Sequence, residues 1–294
     1  MKLKSISYLA FASALTLGQG VAAHDQFQHI RNATIKLNYA DVTFLIDPML
    51  AAQGTYPGLP GTYRSHIRNP MVDLPVPVAA VIDDVDAVIV THTHPDHWDQ
   101  VAQNSLPKTI PIFAQNQADA ELIRSQGFLK VDVLTDTLSF KGVTLTRTNG
   151  HHGDETLLGM EGVSRILGEI MGVILKAPDH QTVYFAGDTV WCDEVESALR
   201  THRPDITVVN AGAALLEGLD EHPILMGKED VVRVAQTAPF TRIIAVHMEA
   251  INHCSLTRQA LGQYIKTFDL EERVMIPEDG ETLHLSTDVS TQSE

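Results

Sequence analysis

A chain of 294 residues, of which 44% are hydrophobic and 6% aromatic, is long and apolar enough to bury a substantial core, which argues against a disordered protein. Its 37 acidic residues outnumber 21 basic ones and give a formal net charge of −16, so its surface repels phosphate backbones and a nucleic-acid partner is disfavoured. No repeat, low-complexity tract or Ser/Gly-rich linker follows the first 23 residues, and we predict a single domain over residues 24–294.

The first 23 residues have the pattern of a secretory signal. Lys2 and Lys4 precede the apolar run Ile6–Leu17, and small residues at positions 21–23 offer a cleavage site before His24. The apolar run is too short to span a bilayer comfortably, which disfavours a retained membrane anchor. We therefore expect residues 1–23 to be removed, and the mature protein to be periplasmic or secreted without attachment to a membrane.

Short apolar strands recur along the rest of the chain. Ala33–Leu37 and Val42–Ile46 flank a polar turn and predict a hairpin. Further strands are predicted at Ala87–Val90, Ile110–Phe113, Val131–Leu134, Val143–Thr148, Gly172–Leu175, Thr182–Phe185, Ile206–Val209 and Ile243–Val246. Helical periodicity is present in Gln117–Ser125, Asp193–Thr201, Lys228–Thr237 and Leu256–Phe268. Strands that alternate with helices, together with hairpins, indicate α/β layering with a mixed sheet.

The stretch Ala51–Val76 has no hydrophobic period and is rich in Gly, Pro, Tyr and Arg. A loop of this length within one domain is typical of a functional lid or of a disordered segment, and we expect a lid. Arg64 and Arg68 in it either hold an anionic group of a substrate or are ordinary exposed arginines. Tyr56 and Tyr63 are candidates for the pocket wall.

Three histidines and two carboxylates follow directly behind the predicted strand Ala87–Val90, in the stretch THTHPDHWD (residues 91–99). His92 and His94 stand two residues apart, so in an extended segment their side chains share one face. Pro95 forces a turn, which lets Asp96 and His97 approach the same point from another side. Clustered imidazoles with a carboxylate suit Zn²⁺ or a neighbouring divalent metal ion.

Three more predicted strands are followed by residues of types that bind metals. His151-His152 follows Val143–Thr148, Asp188 follows Thr182–Phe185, and His247 follows Ile243–Val246. Because active sites of α/β proteins form at the carboxyl ends of strands, we expect these side chains to meet at one edge of the sheet.

HxHxDH followed by a distant His, an Asp and a last His resembles the ligand series of the metallo-β-lactamase superfamily. The stretches RNATIKL, FLIDPML, THTHPDHWD, FAGDT and IIAVHMEA are similar to its lactonase-like branch, which includes ascorbate-6-phosphate lactonase. The resemblance implies a four-layer αβ/βα sandwich and a metal-dependent hydrolase with two divalent metal ions. Zn²⁺ is the expected metal, with Mn²⁺ or Fe²⁺ as alternatives for mixed His/Asp ligands.

The resemblance also implies roles for individual residues. His92, His94 and one of His151 and His152 would hold the first ion, and Asp96, His97 and His247 the second, with Asp188 bridging both. We prefer His152 as the ligand because it precedes Gly153, which leaves His151 beside the ligands or facing the substrate. Asp47 would orient ligands, as carboxylates beside metal-bound histidines usually do. Asp99 and His253 are further candidates for that supporting role or for the pocket, with an ordinary surface position as the alternative for each.

The implied reaction is hydrolysis of a small ester, lactone, amide or phosphoester by a metal-bound hydroxide, with Asp96 also moving the proton. Asp188 stands where antibiotic-cleaving members have Cys or Ser, which argues against a true periplasmic metallo-β-lactamase, the first alternative. A non-catalytic metal-binding protein on the same fold is the second. A redox di-iron protein is disfavoured, because such members have glutamate where this chain has His94.

The expected partner is a small-molecule substrate, and homo-oligomerisation is left open.

Cys192 and Cys254 are the two cysteines of the sequence. Export would permit a disulfide between them, but two cysteines do not make a disulfide framework, and we expect free, partly buried thiols.

Overall fold

The computed structural model of the protein describes residues 25–285, which form fourteen strands and eight helices. The predicted signal at residues 1–23 lies outside the described residues. The strands are β1 Gln26–Arg31, β2 Thr34–Tyr39, β3 Val42–Ile46, β4 Ala87–Val90, β5 Pro111–Ala114, β6 Lys130–Val133, β7 Thr137–Phe140, β8 Val143–Thr148, β9 Gly172–Lys176, β10 Val183–Phe185, β11 Ile206–Asn210, β12 Arg242–Val246, β13 Val274–Met275 and β14 Thr282–His284. The helices are α1 Val78–Ile82, α2 Gln100–Ser105, α3 Gln117–Ser125, α4 Glu155–Leu158, α5 Glu161–Leu167, α6 Asp193–His202, α7 Lys228–Thr237 and α8 Arg258–Lys266. Within residues 25–285, no helix is long and apolar enough to cross a membrane.

The strands form two seven-stranded mixed sheets. The first has the order β14-β1-β2-β3-β4-β5-β6 and the second the order β13-β12-β11-β10-β9-β8-β7. In the first sheet β3 to β6 run parallel to one another, and in the second β10 to β13 do the same. Strand β8 is antiparallel to β9, which is antiparallel to β10, so β8 and β10 point in the same direction. The carboxyl ends of β8, β10 and β12 therefore lie at one edge of the second sheet.

Three hydrophobic clusters divide the molecule into layers. The central cluster lies between the sheets and includes Phe27, Phe44, Val173 and Phe185, all of which are buried. A second cluster joins the outer face of the second sheet to α6, α7 and α8. A third cluster joins the outer face of the first sheet to α1, α2 and α3. Helices thus cover both outer faces of the paired sheets, and the predicted αβ/βα sandwich is confirmed.

Sequence periodicity locates the middle of most elements and misses several at the edges. The predicted bounds are correct for α3, α7 and the second hairpin strand, Val42–Ile46. The first hairpin strand runs from Thr34 to Tyr39 instead of from Ala33 to Leu37. Strand β1 was not predicted because two of its inward residues are polar, His29 and Arg31, although both are buried. Strands β7 and β14 were also missed, since both are only half covered by other residues and carry a weak apolar pattern.

The connection between β3 and α1 includes the stretch that we expect to be a lid, and it is tied down by polar contacts. Arg31, fully buried, donates hydrogen bonds to the carbonyl oxygens of Met49, Ala51 and Val72 at 2.9–3.0 Å. Asn252 accepts hydrogen bonds from the Leu59 amide and the Asn69 side chain, and donates to Thr62 Oγ1 and Tyr63 O. Side chains from elsewhere in the fold thus replace regular secondary structure in satisfying this backbone.

Candidate metal centre

The stretch THTHPDHWD lies directly after β4, at the carboxyl end of the parallel part of the first sheet. The amides of His97 and Trp98 both donate to the carbonyl of His94, which closes a turn around Pro95. This turn brings the side chains of His92, Asp96 and His97 inward, where all three are buried, while His94 is half-buried. Sequence spacing and the Pro95 turn therefore place four polar side chains at one point.

The second sheet supplies the other side of the same site. His152 follows β8, Asp188 follows β10 and His247 follows β12, and all three are buried. Gly187 at φ +73° lets the chain turn sharply before Asp188, and a Cβ there would lie 2.6 Å from the carbonyl oxygen of Met171. His247 has a φ of 62°, an uncommon conformation for a residue other than glycine, of the kind that clusters at functional sites.

The side chains of this site form two adjacent groups of donors. One ligating atom from each of His92, His94 and His152 lies within 4.8 Å of the others, and the same holds for Asp96, His97, Asp188 and His247. We name them the three-histidine group and the mixed group.

A single oxygen, Asp188 Oδ2, stands between the two groups. It lies 3.0 Å from His97 Nε2 and 3.6 Å from His247 Nε2 in the mixed group. It also lies 3.9 Å from the Nε2 atoms of His92 and of His152 in the three-histidine group. This position suits a carboxylate shared between two cations.

The donor geometry fits metal ions better than it fits a closed hydrogen-bond network. Asp96 Oδ2 is buried without a hydrogen-bond partner of normal geometry, although His247 Nε2 lies 3.4 Å away. The Nε2 atoms of His97 and His247 lie only 3.1 Å apart, as do His92 Nε2 and His94 Nδ1 at 3.0 Å. Two nitrogens that share a tetrahedral Zn²⁺ at about 2.0–2.1 Å lie about 3.3 Å apart, close to these separations.

Burial and neighbouring charges set the protonation of these groups in opposite ways. Burial, together with the neighbouring imidazoles, holds the pKa of His92 well below its usual value, and burial lowers the pKa of His152 to about 4. Burial also lowers the pKa of His97, but Asp188, Asp96 and Asp47 outweigh it and raise that pKa to about 10. His92 and His152 are therefore neutral, the form that binds metals, while the carboxylates of the mixed group favour a cation beside them.

Several polar groups fix the orientation of the candidate ligands. Asp47 Oδ2 accepts a hydrogen bond from His97 Nδ1 at 2.9 Å, and His152 Nδ1 donates to the Ile224 carbonyl at the same distance, so the Nε2 atom of each ring faces the other candidate ligands. The amide nitrogen of Asn210, at the end of β11, donates to Asp188 Oδ1 at 2.6 Å. Asn32 Nδ2 donates to the Asp96 carbonyl at 3.0 Å. Asn32 and Asn210 were not singled out in the sequence, although Asn210 directly follows the predicted strand Ile206–Val209.

The other candidate residues predicted from the sequence make different contacts. His151 points away from the three-histidine group and lies 3.3 Å from a carboxylate oxygen of Glu194. Asp99 is buried and caps α2 through the Ala102 amide, so it is neither a surface residue nor one of the clustered donors. Tyr56 donates its hydroxyl to Asp99 at 3.2 Å and supports that cap.

The structure does not place Arg64 or Arg68, our candidates for holding an anionic substrate group, at the metal centre. Arg64 donates to the carbonyl oxygens of Asn252 and Cys254, and Arg68 donates to those of Gly54 and Thr55. Both guanidinium groups are therefore occupied by backbone oxygens of the chain itself, and neither lines the cavity at the metal centre. Cys192 and Cys254 are free thiols, as expected.

A cavity of about 200 Å³ opens onto the donors and has mostly apolar walls. Its apolar lining residues are Leu59, Pro60, Ile166, Leu167, Leu216 and Ile224. Asp96, Asp188 and His94 are exposed to it on one side, and His253 lines another part of its wall. His253 is buried, burial lowers its pKa to about 4, and its Nδ1 has no hydrogen-bond partner. Among the described residues that line this cavity there is no lysine or arginine.

Comparison with known proteins identifies relatives across most of the chain. Residues 43–248 match the family described as "Beta-lactamase superfamily domain". The chain is 46% identical over 254 residues to the UPF0173 protein YddR of Bacillus subtilis, covering 86% of this chain and 97% of that protein. The crystal structure of a possible metal-dependent hydrolase from Veillonella parvula is similar with a TM-score of 0.88 and 47% identity, over 90% of this chain and all of that one. That of an isothiocyanate hydrolase from Delia radicum gut bacteria has a TM-score of 0.85 and 45% identity, over 88% of this chain and 98% of that one.

Proposed function

The chain belongs to the metallo-β-lactamase superfamily and, within it, to the UPF0173 family of metal-dependent hydrolases, and from that membership we propose that it hydrolyses a small, uncharged, largely apolar electrophile. The observation that carries the proposal is the cavity of about 200 Å³ whose apolar wall faces Asp96 and Asp188. A pocket of this kind takes up an apolar substituent and presents the reacting group to the polar end. An anionic group beyond the reacting centre would meet no lysine or arginine among the described lining residues, which disfavours a phosphoester.

Seven side chains would hold two divalent ions, one in the three-histidine group and one in the mixed group, with Asp188 shared. Zn²⁺ suits the imidazole and carboxylate donors, and Mn²⁺ or Fe²⁺ would also be accepted. When bound, such ions supply Lewis acidity, which polarises an electrophilic group and makes water a better acid.

Two side chains that line the cavity would take part in the reaction, Asp96, which is also a metal donor, and His253, which is not. Asp96 presents a buried oxygen without a hydrogen-bond partner, and an ionised carboxylate there can accept a proton from the attacking water and return it to the leaving group. His253, neutral and without a partner on Nδ1, can donate a hydrogen bond to a heteroatom of the substrate through its other nitrogen. The apolar wall would exclude bulk water from both.

Isothiocyanates are the substrate class that we propose first, because they combine an apolar substituent with an uncharged electrophilic carbon and because a similar protein is named for them. Water adds its oxygen to the central carbon and the carbon–nitrogen bond breaks. Both protons of the water end on nitrogen, so the products are an amine and carbonyl sulfide. A lactone, favoured by the resemblance in sequence, is the second class.

The test is a panel of substrates given to the metal-loaded protein. Benzyl isothiocyanate, a γ-lactone, an aryl ester, a phosphodiester and a β-lactam would be compared by kcat/KM, with a chelator added in parallel. We expect chelator-sensitive release of benzylamine at the highest kcat/KM of the panel, a loss of about 10²-fold or more in kcat for Asp96→Asn, and a higher KM for His253→Phe. Asp205→Asn, a distant exposed carboxylate, is the matched control. A higher kcat/KM for the β-lactam or the phosphodiester would refute the substrate class. Two bound ions with no hydrolysis of any substrate would favour a non-catalytic metal-binding protein.

We also propose that the protein is exported, on the composition of residues 1–23. The test is the N-terminal sequence of protein isolated from its native source. Export requires a start at or near His24, whereas an intact Met1 on the isolated protein would contradict it.

A further inference from the structure

A second cluster of side chains with metal-binding chemistry lies outside the two groups already described. One ligating atom each of His151, Cys192 and Glu194 lies within 4.8 Å of the others. His151 Nε2 is 3.3 Å from Glu194 Oε1, and the other oxygen of Glu194 is covered but has no hydrogen-bond partner. All three residues are half-buried, so they are held in place by packing and remain within reach of solvent.

The three residues come together because of where the chain places them. His151 precedes His152 at the end of β8, and Cys192 and Glu194 belong to the turn and first residues of α6 that follow Asp188. The backbone of the two loops is joined by two hydrogen bonds: the His151 amide donates to Thr189 Oγ1 at 2.9 Å, and the Val190 amide donates to the His151 carbonyl at 2.8 Å. The arrangement is therefore fixed by the same loops that carry ligands of the metal centre.

The charges around the cluster favour a cation. Asp193, Glu194 and Glu196 occupy the first turn of α6, where they offset the positive end of the helix dipole. Arg147 lines the same surface cavity of about 410 Å³ as His151 and Glu194. Its guanidinium, however, donates to the Gln115 carbonyl and to Asn149 Oδ1, so it is not engaged with Glu194.

We propose that His151, Cys192 and Glu194 form a third metal site, for a thiophilic divalent transition ion such as Zn²⁺. A thiolate, an imidazole and a carboxylate make a three-residue donor set that zinc accepts, and the open side of the cluster leaves a fourth position for water. The sulfur donor selects such an ion against Mg²⁺ or Ca²⁺, which prefer oxygen. An ion held there links the loop that ends in His152 to the loop that begins at Asp188.

The sulfur donor gives the site a spectroscopic signature that the His/Asp donors of the metal centre lack. Full-length protein freed of metal by a chelator would be titrated with Co²⁺ while its near-ultraviolet absorption and metal stoichiometry are followed. We expect three ions per chain, one of which produces a sulfur-to-cobalt charge-transfer band. Cys192→Ser and Glu194→Gln should each reduce the stoichiometry to two, and Cys192→Ser should abolish the band. Asp193→Asn, a neighbouring carboxylate outside the cluster, should keep both.

The other thiol supplies the decisive control. Cys254 Sγ lies 3.4 Å from His247 Nδ1, so a band that survives in Cys192→Ser and disappears in Cys254→Ala would assign the sulfur to the metal centre and overturn the proposal. Binding of Co²⁺ by the unsubstituted protein without any sulfur-to-cobalt charge-transfer band would also overturn it. If Cys192→Ser fails to fold, Glu194→Gln decides alone, because its retention of a third ion refutes the site. These outcomes are independent of which bond the enzyme hydrolyses.

Discussion

Replacing Asp47 with asparagine should weaken metal binding in the mixed group, although the substitution leaves every candidate ligand in the sequence. The carboxylate of Asp47 accepts three hydrogen bonds, from the Thr91 amide at 2.7 Å, the Thr91 hydroxyl at 2.6 Å and His97 Nδ1 at 2.9 Å. An asparagine that keeps the bond to the Thr91 amide turns its own NH₂ group toward His97. His97 must then accept on Nδ1 and carry its proton on Nε2, the nitrogen that faces Asp188 and the mixed group.

Two hydrogen bonds to Asp47 Oδ2 lose their direction, those of the Thr91 hydroxyl and of His97 Nδ1, and the magnitude for the mixed group follows from the second, which is charge-assisted. Such a bond contributes about 1.5–3 kcal/mol, which corresponds to roughly a 10- to 100-fold change in affinity. The same range, about 10- to 100-fold, is typical for removal of a partner that orients a metal ligand. We therefore expect the affinity of the mixed group to fall by that factor. The three-histidine group meets Asp47 only through the Thr91 hydroxyl, which lies 3.3 Å from His92 Nδ1, and its affinity should fall less.

The assay is a Zn²⁺ titration of metal-free protein in competition with a chromophoric chelator, which resolves the successive affinities. Asp205→Asn serves as control, because Asp205 also accepts a backbone amide, that of Thr182 at 2.7 Å, far from the metal centre. Unchanged affinities for both ions in Asp47→Asn would refute the idea that Asp47 sets the tautomer of His97. An equal loss in Asp205→Asn would show a general effect on the fold instead.

Two further predictions concern stability. Gly212→Ala places a Cβ 2.3 Å from the His247 carbonyl oxygen and 2.6 Å from Cys254 Sγ, whereas Gly162→Ala in α5 meets no atom within 4 Å. Thermal unfolding should therefore show that Gly212→Ala lowers the free energy of unfolding by about 1–3 kcal/mol, while Gly162→Ala does not lower it. Equal melting temperatures for the two variants would show that the Cβ at position 212 is not crowded. Arg31→Met removes the donors of three backbone carbonyls, which cost about 1–3 kcal/mol each when left buried without a partner. We expect faster proteolysis within residues 51–76 in that variant, and an unchanged cleavage rate would show that Arg31 does not hold this connection.

Sequence reasoning located the polar chemistry better than the edges of the fold. The strand ends could be predicted because the apolar runs stop shortly before or at His92, Asp188 and His247. Helices α3 and α7 could be predicted because their apolar residues repeat with helical spacing. Strand β1 was hidden by the buried polar residues on its inner face, since burial of a hydrogen-bonded polar side chain leaves no apolar signature.

Partners of individual side chains were much harder to predict. Arg64 was considered as a substrate anchor because its residue type suits anions, but the type alone does not reveal that two backbone carbonyls occupy the guanidinium. Asn210 was passed over because asparagine is not a usual metal ligand, and its contact with Asp188 depends on the parallel pairing of β10 with β11. Such contacts are long-range properties of the fold and leave no local pattern.

The donors of the metal centre are divided between the halves of the sandwich. His92, His94, Asp96 and His97 come from the first sheet, and His152, Asp188 and His247 from the second, so each donor group contains members of both. Bound cations would thus connect the two sheets, adding their binding free energy to the contacts of the central hydrophobic cluster. Separate fragments carrying the two sheets would each contain only some of the donors of each group, and metal binding would favour their association.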